Sequence, residues 1–174
     1  MNQEQGMKNS SNDDKIYNLW TMIEQVHSGV TLARDRELEQ YGLSTIKAAA
    51  LFIIDAIGAE ATPAEISRWI LRRPHSVSGL LDRMEKEGFI KKTKDLQKKN
   101  LVRITITAQG RKAFNVSLKR KTINQILSAL TTEEKQQLYS YMDRLRTKAL
   151  KVAGISNKPP FPVSPSKARQ SVDK

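Results

Sequence analysis

The chain has 174 residues, with 30 Lys and Arg against 18 Asp and Glu, a formal charge of +12, no cysteine and two histidines. Its length and 39% apolar content suit one compact domain with tails. Lack of cysteine excludes a disulfide scaffold, a thiolate zinc site and a thiol sensor, and two histidines leave little for a metal centre, so neither metal nor cofactor is expected. The longest apolar run, Ala48 to Ile54, is far short of the roughly 20 residues of a membrane-spanning helix. The polar N-terminus carries no apolar signal core, so a cytoplasmic protein with no membrane partner is expected.

Residues 1–12 show no periodicity and are expected to be disordered. From Ile16, apolar positions recur at three- and four-residue steps through Leu19, Trp20, Ile23, Val26, His27, Val30 and Ala33, one face of a long helix capped at Asn12 or Asp13. Gly42 ends it, and Ser44 caps a second helix that runs to Ile57 and stops at Gly58. Together residues 13–60 form an N-terminal scaffold region of helices.

Thr62-Pro63-Ala64-Glu65 combines a capping threonine, proline at the first helical position and glutamate three residues after the cap. The helix it opens breaks before Pro74, where a shorter helix begins and runs to Glu87. Its apolar set is Val77, Leu80, Leu81 and Met84, which leaves His75, Ser76, Ser78, Gly79, Asp82 and Arg83 outside. After Gly88 the period becomes two: residues 89–93 and 101–106 read as paired strands around a polar, basic tip at 94–100. Residues 61–107 are therefore a winged helix-turn-helix. Thr107 starts a helix expected to reach Leu127, and Thr131 with Glu134 opens a last one bearing Leu138, Met142, Leu145 and Ala149 on one side. Residues 108–152 form a C-terminal helical region, and 153–174 a disordered, basic, proline-rich tail. The fold class is mainly α with a small β-wing.

Positive charge is concentrated in one stretch. Residues 62–121 hold 16 basic and 5 acidic side chains, whereas residues 1–61 hold 5 and 9. Such a basic segment is an electrostatic footprint for nucleic acid. A short exposed helix fits a major groove roughly 12 Å wide, and small polar residues at its start let the backbone approach base edges. The candidate DNA contacts are His75, Ser76, Ser78 and Gly79 on that helix, Arg72, Arg73 and Arg83 beside it, and Lys98 and Lys99 on the wing tip. No phosphate loop, nucleophile elbow or paired His–carboxylate arrangement is present, so no enzymatic activity is expected. A protein-interaction module whose basic face binds an acidic protein is the alternative; a salt-steep affinity for one duplex over random DNA separates the two.

The run Ser76-Val77-Ser78-Gly79-Leu80-Leu81-Asp82-Arg83-Met84-Glu85-Lys86-Glu87-Gly88-Phe89-Ile90, with Ile106-Thr107-Ala108-Gln109-Gly110, resembles the recognition helix, first wing strand and post-wing turn of the MarR family of bacterial transcription regulators. The resemblance extends over about residues 14–151 with the flanking helices. It implies a homodimer, joined through the first helix and the last two, that binds a pseudo-palindromic operator as a repressor and is released by a small lipophilic or anionic effector. At the wing the family often carries Asp-x-Arg-Asp-x-Arg; here the aligned residues are Asp95, Gln97, Lys98 and Asn100, and only the first aspartate is kept. Lysine lacks the planar fork of arginine, so wing contacts differ. The resemblance also implies that Arg83 braces Asp95, and that Trp20, His27 and Arg34 border an effector pocket. On an apolar helix face, a histidine such as His27 is more often a core or dimer-interface residue and an aromatic such as Trp20 more often core.

Overall fold

A computed structural model describes residues 3–95, 101–156 and 159, with side chains from residue 13 onward. Helix α1 (Gln3–Glu39) starts well before residue 13, so residues 3–12, expected to be disordered, are helical. Extending an existing helix needs no new nucleus, and Gln, Glu, Met and Lys are good helix formers. Gly42, at φ 68, closes the turn that follows. Helix α2 (Thr45–Ile57) is capped by the Ser44 side chain, which accepts from the Lys47 amide, and by Asp35 of α1, whose Oδ1 accepts from the Thr45 amide at 2.5 Å.

Thr62 caps α3 (Pro63–Ile70) as its sequence requires, accepting from the Glu65 amide at 3.2 Å. Helix α4 (Pro74–Lys86) follows after a three-residue turn. Val77, Leu80, Leu81 and Met84 of α4 are buried with Ala50, Leu51, Ile53 and Ile54 of α2, Ile66 of α3 and Leu38 of α1. Strands β1 (Ile90–Lys94) and β2 (Val102–Ile106) pair antiparallel with Ile90 opposite Ile106 and Lys94 opposite Val102. At the outer edge of β2, the Ile104 amide donates to the Ala61 carbonyl at 2.9 Å, tying the wing to the start of the helix-turn-helix.

Thr107 caps α5 (Ala108–Ser117), where a corrected expectation appears. The helix expected to run from Thr107 to Leu127 is broken: α5 ends at Ser117, Arg120 takes a left-handed conformation (φ 50), and α6 (Lys121–Leu127) starts anew. Nothing in residues 117–121 breaks a helix by propensity. Two side chains of α1 do it: Arg34 donates to the Ser117 carbonyl, and the Glu37 carboxylate accepts from the Lys121 and Thr122 amides at 3.2 and 3.0 Å. The exposed amides of a new helix start attract an anionic cap, which offsets the hydrogen bonds lost at the break. Helix α7 (Thr132–Val152) opens on the expected capping box between Thr131 and Glu134.

The apolar stripes of α1 and α7 are left uncovered within one chain. Ile16, Leu19, Trp20 and Val26 of α1 and Leu138, Met142 and Leu145 of α7 are exposed. Among the described residues no helix is long and apolar enough to cross a membrane.

Candidate nucleic-acid interface

The turn that presents α4 is built by Ser67, a buried residue of α3. Its carbonyl accepts from the Leu71 and Arg72 amides, and its hydroxyl donates to the Arg72 carbonyl at 2.6 Å. These bonds hold Leu71 in the left-handed region (φ 58), a conformation that side chains resist. The chain is thereby turned sharply enough for Pro74 to begin α4, with its fixed φ suited to the first helical position. One face of α4 is thus buried, and His75, Ser76, Ser78, Asp82 and Arg83 stand exposed on the other with half-buried Gly79 among them. Arg72 and Arg73 are exposed just before the helix. The expected recognition-helix residues are gathered on one surface.

The acidic side chains near α4 are occupied elsewhere. Asp82 pairs with Lys92 Nζ, the Glu85 carboxylate accepts from the Lys92 amide at 2.7 Å, and Glu87 lies 2.6 Å from Lys47 Nζ. These pairs fasten the end of α4 to β1 and to α2. The two lysines also neutralise Asp82 and Glu87, carboxylates that would repel a polyanion.

The wing is braced differently from the expectation. Asp95 is held by Arg103, whose Nε donates to Asp95 Oδ2 at 3.0 Å, and not by Arg83. Arg103 also lies 2.7 Å from Glu60 Oε2 and donates to the Glu60 carbonyl at 3.1 Å. From β2, its guanidinium reaches both the wing tip and the residue before Ala61, whereas Arg83 projects from the free face of α4. The only sequence signal for this was a charged residue set between the apolar Val102 and Ile104. Lys98 and Lys99, with Gln97 and Asn100, lie outside the described residues.

A sharp approach of chains fixes the base of the wing. A Cβ on Gly110 would sit 1.9 Å from the Phe89 carbonyl oxygen, so only glycine fits there. Thr107 Oγ1 donates to the Gly88 carbonyl at 2.6 Å and accepts from the Gly110 amide at 3.0 Å. The Thr-x-x-Gly pattern is therefore a stitch between the two ends of the wing.

A second site lies at the junction of α1, α2, α5 and α6. A cavity of about 190 Å³ is lined by residues that include Arg34, Thr45, Phe52, Ser117, Arg120 and Ile123. Arg34 is buried, with Nη1 2.7 Å from Glu37 Oε2. Burial draws the Glu37 carboxyl upward, but hydrogen bonds from Arg34 and Thr122 and the Arg34 charge outweigh it, holding the group at about 2 against an ordinary 4.5. Trp20 and His27, expected beside Arg34, are exposed on α1 and do not line this cavity. The resemblance grouped the three at one pocket, but α1 turns inward only at its last turns. Phe52, Arg120 and Glu37 were missed, because their meeting depends on the break at Arg120.

These features are those of a winged helix-turn-helix protein of the DNA-binding class. No family model and no curated protein matches the chain. Among solved structures it is similar to the organohalide-sensing transcriptional regulator RdhR in its 2,4-dichlorophenol-bound form, with 37% identity, TM-score 0.79, and coverage of 85% of this chain and 89% of that one. The chain belongs to the MarR family of winged-helix transcription regulators. Its fold is also that of a mutant MarR from E. coli complexed with operator DNA (16% identity, TM-score 0.71, 76% and 96% of the two chains). The S. aureus MepR–DNA complex shares it as well (21% identity, TM-score 0.68, 74% and 96%). These neighbours are regulators and not enzymes, and among the described residues no group of three or more His, Cys, Asp or Glu side chains forms a metal site.

Proposed function

We propose that the protein is a homodimeric, ligand-responsive repressor that binds a pseudo-palindromic operator. The observation that carries this reading is the free face of α4, where small and polar side chains are flanked by Arg72, Arg73 and Arg83 while nearby carboxylates are paired away. His75, Ser76, Ser78 and Gly79 face the base edges, Arg72 and Arg73 reach phosphates, and Lys98 and Lys99 extend the contact from the wing. The uncovered stripes of α1 and α7 support a second copy of the chain as their cover, since apolar faces of this extent are costly in water.

The cavity beside Arg34 supports an effector. At about 190 Å³ it lies below the roughly 300–1,000 Å³ of sites for drug-sized ligands, which favours a single-ring compound. Phe52 offers an aromatic wall and the two arginines offer charge to a phenolate. The similarity to a regulator crystallised with 2,4-dichlorophenol makes a halogenated phenol the first compound to try. The test is a gel-shift titration of the full chain against the DNA flanking its own gene and against random duplex. Tight binding to the flanking DNA alone, falling steeply with salt and released by 2,4-dichlorophenol, is expected. Equal affinity for both duplexes would overturn the operator reading and leave the acidic-protein module in its place.

A further inference from the structure

Gly79 sits in the interior of α4, on the side away from Val77, Leu81 and Met84, close to the middle of the free face at 3.6 residues per turn. Glycine there weakens the helix relative to alanine. Its backbone needs no positive φ, and the single heavy atom near a Cβ built on it is Arg83 Nη1, at the ordinary contact distance of 3.7 Å. Packing among the described residues therefore gives no reason for the glycine. The nearby guanidinium does. One turn further on, Arg83 folds back so that its Nη1 lies over Gly79. Its acidic neighbours Asp82, Glu85 and Glu87 are all engaged by Lys92 and Lys47, so among the described residues no carboxylate holds it down.

We propose that Arg83 reads a guanine in the major groove across the gap left by Gly79, and so sets one base pair of each half-site. This rests on the reading of α4 as the groove-bound helix. Without a side chain at 79 the helix backbone settles closer to the groove floor. The guanidinium over it then presents its paired N–H donors to guanine O6 and N7, the geometry in which arginine discriminates best.

The experiment is selection of bound sequences from a random duplex library by the full-length chain, its Arg83→Gln, Arg83→Lys and Gly79→Ala variants, followed by titration of the selected duplex and of single-position changes. The wild type is expected to enrich a palindrome with an invariant G·C pair in each half. Arg83→Gln should lose preference for that pair by about tenfold or more, while preferences elsewhere are kept. Arg83→Lys, which keeps the charge, should lose it too. Gly79→Ala should melt at a higher temperature than the wild type yet bind the selected duplex more weakly. A purely structural role for Gly79 would not divide the two readouts in this way. If Arg83→Gln weakens all sequences equally and lowers the salt slope by about one, Arg83 is a phosphate contact and the inference fails. If the wild type enriches no sequence, the operator reading itself falls, and this inference with it.

Discussion

Replacing Glu37 by glutamine removes one charge while keeping the shape of the side chain. The carboxylate sits between the Arg34 guanidinium and the amides of Lys121 and Thr122, joining α1 to the start of α6. Its folded value of about 2, against 4.5, would correspond to at most ~3.4 kcal/mol if the whole displacement stabilised the fold. Water at the edge of the junction screens the pair, which reduces this to ~1.5 kcal/mol. Because the folded value lies below the unfolded one, the contribution is complete above pH 4.5 and is lost as pH falls toward 2. Urea titrations of wild type and Glu37→Gln, at one protein concentration, should differ by ~1.5 kcal/mol at pH 7 and by less than about half of that at pH 3. In thermal melts at neutral pH the variant should fall by roughly 3–6 °C. An equal gap at pH 7 and pH 3 would refute the reasoning, because it would mean that the carboxylate charge does not hold α6 in place.

Two further perturbations address the wing. Gly110→Ala drives a Cβ into the Phe89 carbonyl, so a loss of about 2–4 kcal/mol is expected in chemical denaturation; a variant as stable as the wild type would show that this crossing relaxes freely. Arg103→Leu removes the link from Glu60 to Asp95 but leaves the strand pairing. Glu60 is largely exposed but Asp95 is largely buried, so global stability should drop by about 1–2 kcal/mol. The Asp95 amide, bonded to the Leu101 carbonyl at 2.8 Å, should exchange with solvent faster while amides of α2 do not change. Unchanged exchange at Asp95 would remove Arg103 as the brace.

Local chemistry made much of this molecule legible from residues alone. Ser44, Thr62, Thr107 and Thr131 each accept from an amide three residues on, so the starts of α2, α3, α5 and α7 follow from a few consecutive side chains. The stripe of Val77, Leu80, Leu81 and Met84 settles which face of α4 is buried and hence which residues are offered outward. The period of two on either side of the basic tip gives the wing, with β1 shifted by one residue from the expected 89–93.

What the tertiary structure alone decided lies in contacts between distant parts of the chain. The break at Arg120 comes from Arg34 and Glu37, more than 80 residues earlier, and no local propensity encodes it. The brace on Asp95 fell to Arg103 because β2 and the residues before Ala61 meet at the edge of the wing. Trp20 and His27 parted from Arg34 because α1 is buried only near its end. Helix caps and apolar periods are set within a few residues, where the chain's own geometry controls the distances. Ion pairs across elements depend on how whole helices pack, and that is known only once the core has formed.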